Sequence, residues 1–112
     1  MAIKANIVID QGADFTAEIE LLDTDGDPYD LSDHTIAGSM RKNYASSTSV
    51  DFVCTPRQDP TTGYLFISLE DSVTSELEPG RYLYDVVIED LAGVRTRVVE
   101  GVATITPGMT RA

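Results

Sequence analysis

Apolar and polar residues alternate with a period of two along most of this chain, and no stretch holds an amphipathic helical pattern for three turns. The first alternating run covers about residues 3–10, with Ile3, Ala5, Ile7 and Ile9 set against Lys4, Asn6, Val8 and Asp10. Gln11-Gly12-Ala13-Asp14 breaks it. A second run, about 15–22, places Phe15, Ala17, Ile19 and Leu21 on one face and Thr16, Glu18 and Glu20 on the wet one. Further strands are predicted over about 35–42, 50–55, 64–70, 81–89 and 94–106. Polar turn clusters separate them: Asp23 to Pro28, Asn43 to Ser49, Pro56 to Gly63, and Asp90 to Gly93. Asp71 to Leu77 offers one short helical turn ahead of Pro79.

Seven short strands with turn signals roughly every 8–12 residues point to an all-β sandwich, with a small barrel as the alternative. Both are antiparallel and alternating, so pattern alone does not separate them. The segment Pro79-Gly80-Arg81-Tyr82-Leu83-Tyr84 favours the sandwich. Its Gly-x-Tyr-x-Tyr spacing is that of the E–F corner of an immunoglobulin-like domain, with Tyr84 where an antibody domain carries cysteine. At such a corner the Tyr82 hydroxyl bonds back to upstream backbone, here expected around Ser75 to Leu77, while the ring packs inward. Gly80, Tyr82 and Tyr84 are therefore read as structural fastenings, in preference to a ligand-stacking pair. The expectation is one immunoglobulin-like antiparallel β-sandwich domain over residues 1–112.

The chain's 112 residues suffice for one hydrophobic core without staples. No signal peptide is apparent at MAIKANIVID, and no run approaches the roughly 20 apolar residues that cross a membrane. The net charge of −11 is spread over both halves. Such a surface repels a phosphate backbone and an anionic membrane alike, and steers toward itself a partner with a basic patch. Direct nucleic-acid or membrane binding is accordingly not expected.

Candidate chemistry is sparse. Cys54, the only cysteine, shares a face with Val50 and Phe52 and reads as a small buried hydrophobe. Asp23-Thr24-Asp25-Gly26-Asp27 invites a calcium reading, but an EF-hand loop opened by Asp23 would need Gly and Glu where Pro28 and His34 stand. A plain turn suits those residues. His34 is the only histidine and has no second ligand at zinc spacing, so a solvated loop histidine is the simpler reading. Glu89 and Asp90 lie beside a hairpin, where solvation accounts for them. No catalytic residue, metal site or cofactor is expected. Arg95 and Arg97 share one face of the last strand, with Arg111 beyond; they form a possible contact patch, or pair across strands with acids such as Asp85, Glu89 or Glu100.

From Gly80 to Arg111 the chain reads GRYLYDVVIEDLAGVRTRVVEGVATITPGMTR. This resembles the C-terminal half of small β-sandwich proteins and modules in virions of tailed bacteriophages, those of marine cyanobacterial phages above all. The shared pattern is G-x-Y-x-Y-D-V, a short hairpin with glycine, V-x-x-G-x-x-x-I-T-P, and a terminal Thr-Arg. The start MAIKANIVIDQGADF and the Leu31-Ser32-Asp33 segment resemble that group too. The resemblance implies an immunoglobulin-like fold, a virion location, many copies per particle, and contacts with other virion structural proteins. It brings no catalytic residues. The chain stops at Ala112, so a downstream receptor-binding part is not expected. The roles implied are a tail, baseplate or neck adaptor, with a capsid decoration protein as the alternative. Docking is expected through sheet edges and loops, the first and last strands contributing. A carbohydrate- or receptor-binding module using Tyr29, Tyr44 or Tyr64 is a more distant alternative, and an enzyme built around His34 the most distant.

Overall fold

The computed structural model describes residues 3–23, 25–42 and 49–108. Eight strands run in chain order as β1 (Ile3–Lys4), β2 (Ile7–Asp10), β3 (Phe15–Glu20), β4 (Thr35–Arg41), β5 (Val50–Pro56), β6 (Tyr64–Leu69), β7 (Gly80–Glu89) and β8 (Arg95–Thr106). A 3-10 turn, Pro60–Thr62, precedes β6, and a single turn of helix, α1 (Asp71–Thr74), follows it. The fold is all-β, as expected, and six of the predicted strands fall within a residue or two of their expected bounds.

The strands form one curled sheet in the order β1-β8-β7-β4-β5-β6-β3, with β2 also on β8. It folds over itself at β5. Gly38, Ser39 and Met40 pair with the first half of β5, and Val53 to Pro56 pair with β6 instead. The strand thus belongs to one layer at its start and to the other at its end. The layers close on a core drawn from both: Ile9, Val86, Val99 and Ile105 from the first, Leu65, Ile67 and Leu69 from the second, each at most 3% exposed. Each such side chain contributes about 1.5–3 kcal/mol on burial.

Two details depart from the expectation. The sheet is not wholly antiparallel, because β1 and β2 pair with β8 in parallel. Side-chain alternation is the same in parallel and antiparallel strands, so the pattern carries no sign of direction. The first strand is also interrupted at Ala5 and Asn6, where the Asn6 carboxamide accepts the Val102 N–H at 3.1 Å in place of a backbone carbonyl. In β8 the register to β7 slips between Val86 and Val87, leaving Val98 as an extra residue. This bulge lets both Val98 and Val99 turn inward, at 7% and 0% exposure.

The loops are held by polar side chains. Thr74 is fully buried; its hydroxyl donates to Ala13 at 2.8 Å and accepts the Gly12 N–H at 3.2 Å, fixing α1 against the β2–β3 turn. Gly63 ends the 3-10 turn at φ 77°, and a Cβ there would come within 2.6 Å of the Leu21 carbonyl oxygen. Only glycine meets both demands.

Candidate functional site

The tyrosine pair on β7 lies inside the sandwich. Tyr82 is 7% and Tyr84 4% exposed, on the same inward row as Val86 and Ile88. The Tyr82 hydroxyl donates to the Glu78 carbonyl at 3.1 Å, one residue past the expected window of Ser75 to Leu77. Tyr84 packs edge-on against Phe52, with ring centroids 6.0 Å apart, and its hydroxyl donates to the Ala5 carbonyl. Burial pushes its hydroxyl pKa up. Gly80 opens the strand at φ 137°.

Arg95 and Arg97 face outward and are engaged by acids of the neighbouring strand β7 and, for Arg97, also by Glu100 on β8 itself. Arg95 meets Glu89 at 3.5 Å; Arg97 meets Asp85 at 3.2 Å and Glu100 at 3.6 Å. Arg111 lies outside the described residues. Around Arg97 the outer face of β7 and β8 holds an open groove of about 530 Å³, floored by Leu83 and Val102 and rimmed by Lys4, Asp85 and Glu100. Its lining combines side chains of both charges with aliphatic ones.

The remaining described candidates make contacts within the chain. The Asp23 carboxylate clamps its own turn, accepting N–H groups of Asp25 at 2.9 Å and Asp27 at 3.0 Å. Among the described residues no cluster of His, Cys, Asp or Glu is arranged to hold a metal ion. His34 is half-buried rather than solvated: Nδ1 donates to the Ser32 carbonyl at 2.9 Å and the ring meets Tyr29 edge-on. Tyr64 lies under the Arg57 guanidinium, 3.8 Å from its ring centre, and Glu20 beside it raises the phenol pKa. Tyr44 lies outside the described residues. Cys54 is half-buried on the expected face, its thiol pushed up to about 11, chiefly by burial.

The first strand lies at an edge of the sheet, as expected, but the last does not. The last strand is interior, flanked by β7 on one side and by β1 and β2 on the other. The open edges are β1–β2 in one layer and β3 in the other. Leu21 donates to the Gly63 carbonyl at 2.8 Å and, in register with it, Phe15, Ala17 and Ile19 exchange hydrogen bonds with β6. The N–H and C=O groups of Thr16, Glu18 and Glu20 therefore point away from the sheet, and no described residue bonds to them. The sequence carries one signal for this, an alternating run without proline, but that signal suits an interior strand equally well.

No protein-family model matches the chain, and no curated protein matches it. Among solved structures the chain is similar to the Lin-41 filamin domain, with a TM-score of 0.56 and 18% identity over 90% of this chain and 84% of that one. This likeness fits an immunoglobulin-like β-sandwich and decides between the sandwich and the barrel. An internalin-like protein of Listeria monocytogenes is also similar, with a TM-score of 0.46 and 21% identity over 96% of this chain and 28% of that one.

Proposed function

We propose that this chain is a non-enzymatic structural protein of a tailed-bacteriophage virion, an immunoglobulin-like module that docks on other virion proteins at the tail, baseplate or neck. The observation that carries the docking role is the pair of open sheet edges, which leaves backbone donors and acceptors free on a strongly acidic surface. The virion setting rests on the Gly80–Arg111 sequence pattern. Many identical copies would make weak single contacts collectively strong. A glycan-binding role is less favoured, because Arg57 already covers one face of Tyr64 and Tyr29 is engaged in an edge contact with His34.

Mass spectrometry of purified virions tests the reading. The protein is expected among the particle components, and its absence would overturn the proposal. Copy number then locates it: tens or fewer, in multiples of three or six, places it at the tail, whereas hundreds would make it a capsid decoration protein.

A further inference from the structure

We infer that β3 is the docking edge, and that its partner is an extended strand from another protein with basic and apolar residues in alternation. The inference rests on the docking role proposed above and adds which edge is used and what chemistry occupies it.

The two open edges lie on the same side of the sandwich, opposite the fold at β5, and the turn from Gln11 to Asp14 joins them. They do not pair with each other. Along this seam the inward rows are only partly covered: Phe15, Ala17 and Ile19 on β3, and Ala5 and Ile7 on the facing edge, are half-buried against the core. The two edges are unequal as templates. The β1–β2 edge is broken at Ala5 and Asn6. The β3 edge is a continuous run of six residues in unbroken register with β6, with no proline and no bulge. Natural edge strands are normally blunted by such devices. Here only charge on the outer face serves that end.

That charge selects the occupant. A strand added beside β3 alternates its side chains between the seam and the outer face. The seam side calls for apolar residues to cover Ala17 and Ile19. The outer side places the incoming residues next to Glu18 and Glu20, on a chain of net charge −11. Arg57 already reaches Glu18, at 3.2 Å, from the opposite flank, with both side chains 40% exposed, so a cation on this row is accommodated. A second copy is disfavoured, because β3 against β3 would set glutamates of one chain against those of the other.

Titration of the isotope-labelled protein with a synthetic peptide, acetyl-Lys-Val-Lys-Val-Lys-Val-Lys-amide, tests the inference by NMR. The peptide is expected to shift the Thr16, Glu18 and Glu20 amides and slow their hydrogen exchange, more weakly as salt is raised. A Glu-Val counterpart is expected to leave them unmoved. Glu18→Pro removes an outward N–H without touching the β6 ladder, and should weaken binding by about tenfold or more. The Glu18→Lys/Glu20→Lys pair keeps the backbone donors and should exchange preference toward the acidic peptide. Shifts confined to β1–β2, or binding indifferent to both variants, would overturn the inference. In phage, a protein present in virions whose incorporation survives both variants refutes the β3 edge and leaves the docking role standing. Absence from virions refutes that role, while the peptide result still decides the edge.

Discussion

The hydroxyl of Tyr84, on the central strand β7, donates to the main-chain carbonyl of Ala5 at the break in the N-terminal strand. These residues stand 79 positions apart in sequence, and β8 lies between their strands. The bond crosses β8 at Gly101, the residue paired with Tyr84. A Cβ on Gly101 would fall 2.8 Å from the Ala5 carbonyl carbon and closer still to its oxygen. One glycine therefore lets a buried tyrosine hold an edge strand two places away.

Tyr84→Phe keeps the ring against Phe52 and removes the hydroxyl. The Ala5 carbonyl then lacks this partner, which should cost about 1–3 kcal/mol. A urea titration reads this as a lower midpoint with an unchanged slope. An unchanged midpoint would mean that the bond contributes nothing.

Gly101→Ala should detach the N-terminal strand without unfolding the sandwich, since backbone rather than a flexible side chain must move. Hydrogen exchange is expected to quicken at Ala5, whose N–H donates to Glu100 at 2.9 Å, and at Val102, whose N–H donates to Asn6. Combining it with Tyr84→Phe should cost clearly less than the two changes separately, because both break the same contact.

Thr74→Val preserves shape and deletes a buried hydroxyl that serves both Gly12 and Ala13. A loss of about 1–3 kcal/mol is expected, larger than for Ser75→Ala on the exposed side of the same turn. Thermal melts of the two variants make the comparison.

Cys54 should be slow to alkylate in the native state. With the thiol raised from 9.0 to about 11, the thiolate fraction at pH 8 falls about a hundredfold below that of the unfolded chain. The same shift sets a pH dependence. Between about pH 9 and 11 the unfolded thiol is ionised and the folded one is not, so this contribution is fully present below pH 9 and is lost as pH rises through that window. Iodoacetamide labelling with and without urea checks the first point, and denaturation at pH 8 and pH 10.5 the second.

Arg97→Ala should change stability by less than about 1 kcal/mol, because the Arg97 side chain is 55% exposed and its ion pairs are screened. If this arginine is also a docking contact, incorporation into particles should fall while the melting curve stays put. Equal losses in both would assign it to the fold alone.

The strands of this fold were legible because one face of nearly every strand is buried and period two survives intact. The closing tyrosine was legible through the spacing from Gly80 to Tyr84, since a corner has few solutions. Three things were not. Nothing in Ile3 to Asp10 marks a parallel partner. Nothing between Phe52 and Val53, no glycine and no proline, marks the point where β5 changes layers. Which strands form the edges depends on that topology, so the expectation of an open last strand failed, and the outward-pointing backbone groups of Thr16, Glu18 and Glu20 could not be singled out. The arginines were legible only as a choice between contact patch and cross-strand pairs, and the geometry of Arg95 and Arg97 supplies the pairs.

The parallel course of β1, β2 and β8 has a mechanical consequence. Ile3 lies beside Val99, near the middle of β8, and Asp10 beside Thr106, the last residue of β8, so β1 and β2 run alongside the second half of that strand in its own direction. A pull between Ile3 and Thr106 loads the hydrogen bonds from β1 and β2 to β8 together, in shear, instead of peeling them one at a time. A module strung between two larger bodies would resist extension along that axis far better than a force that lifts its N-terminal strand away from the sheet.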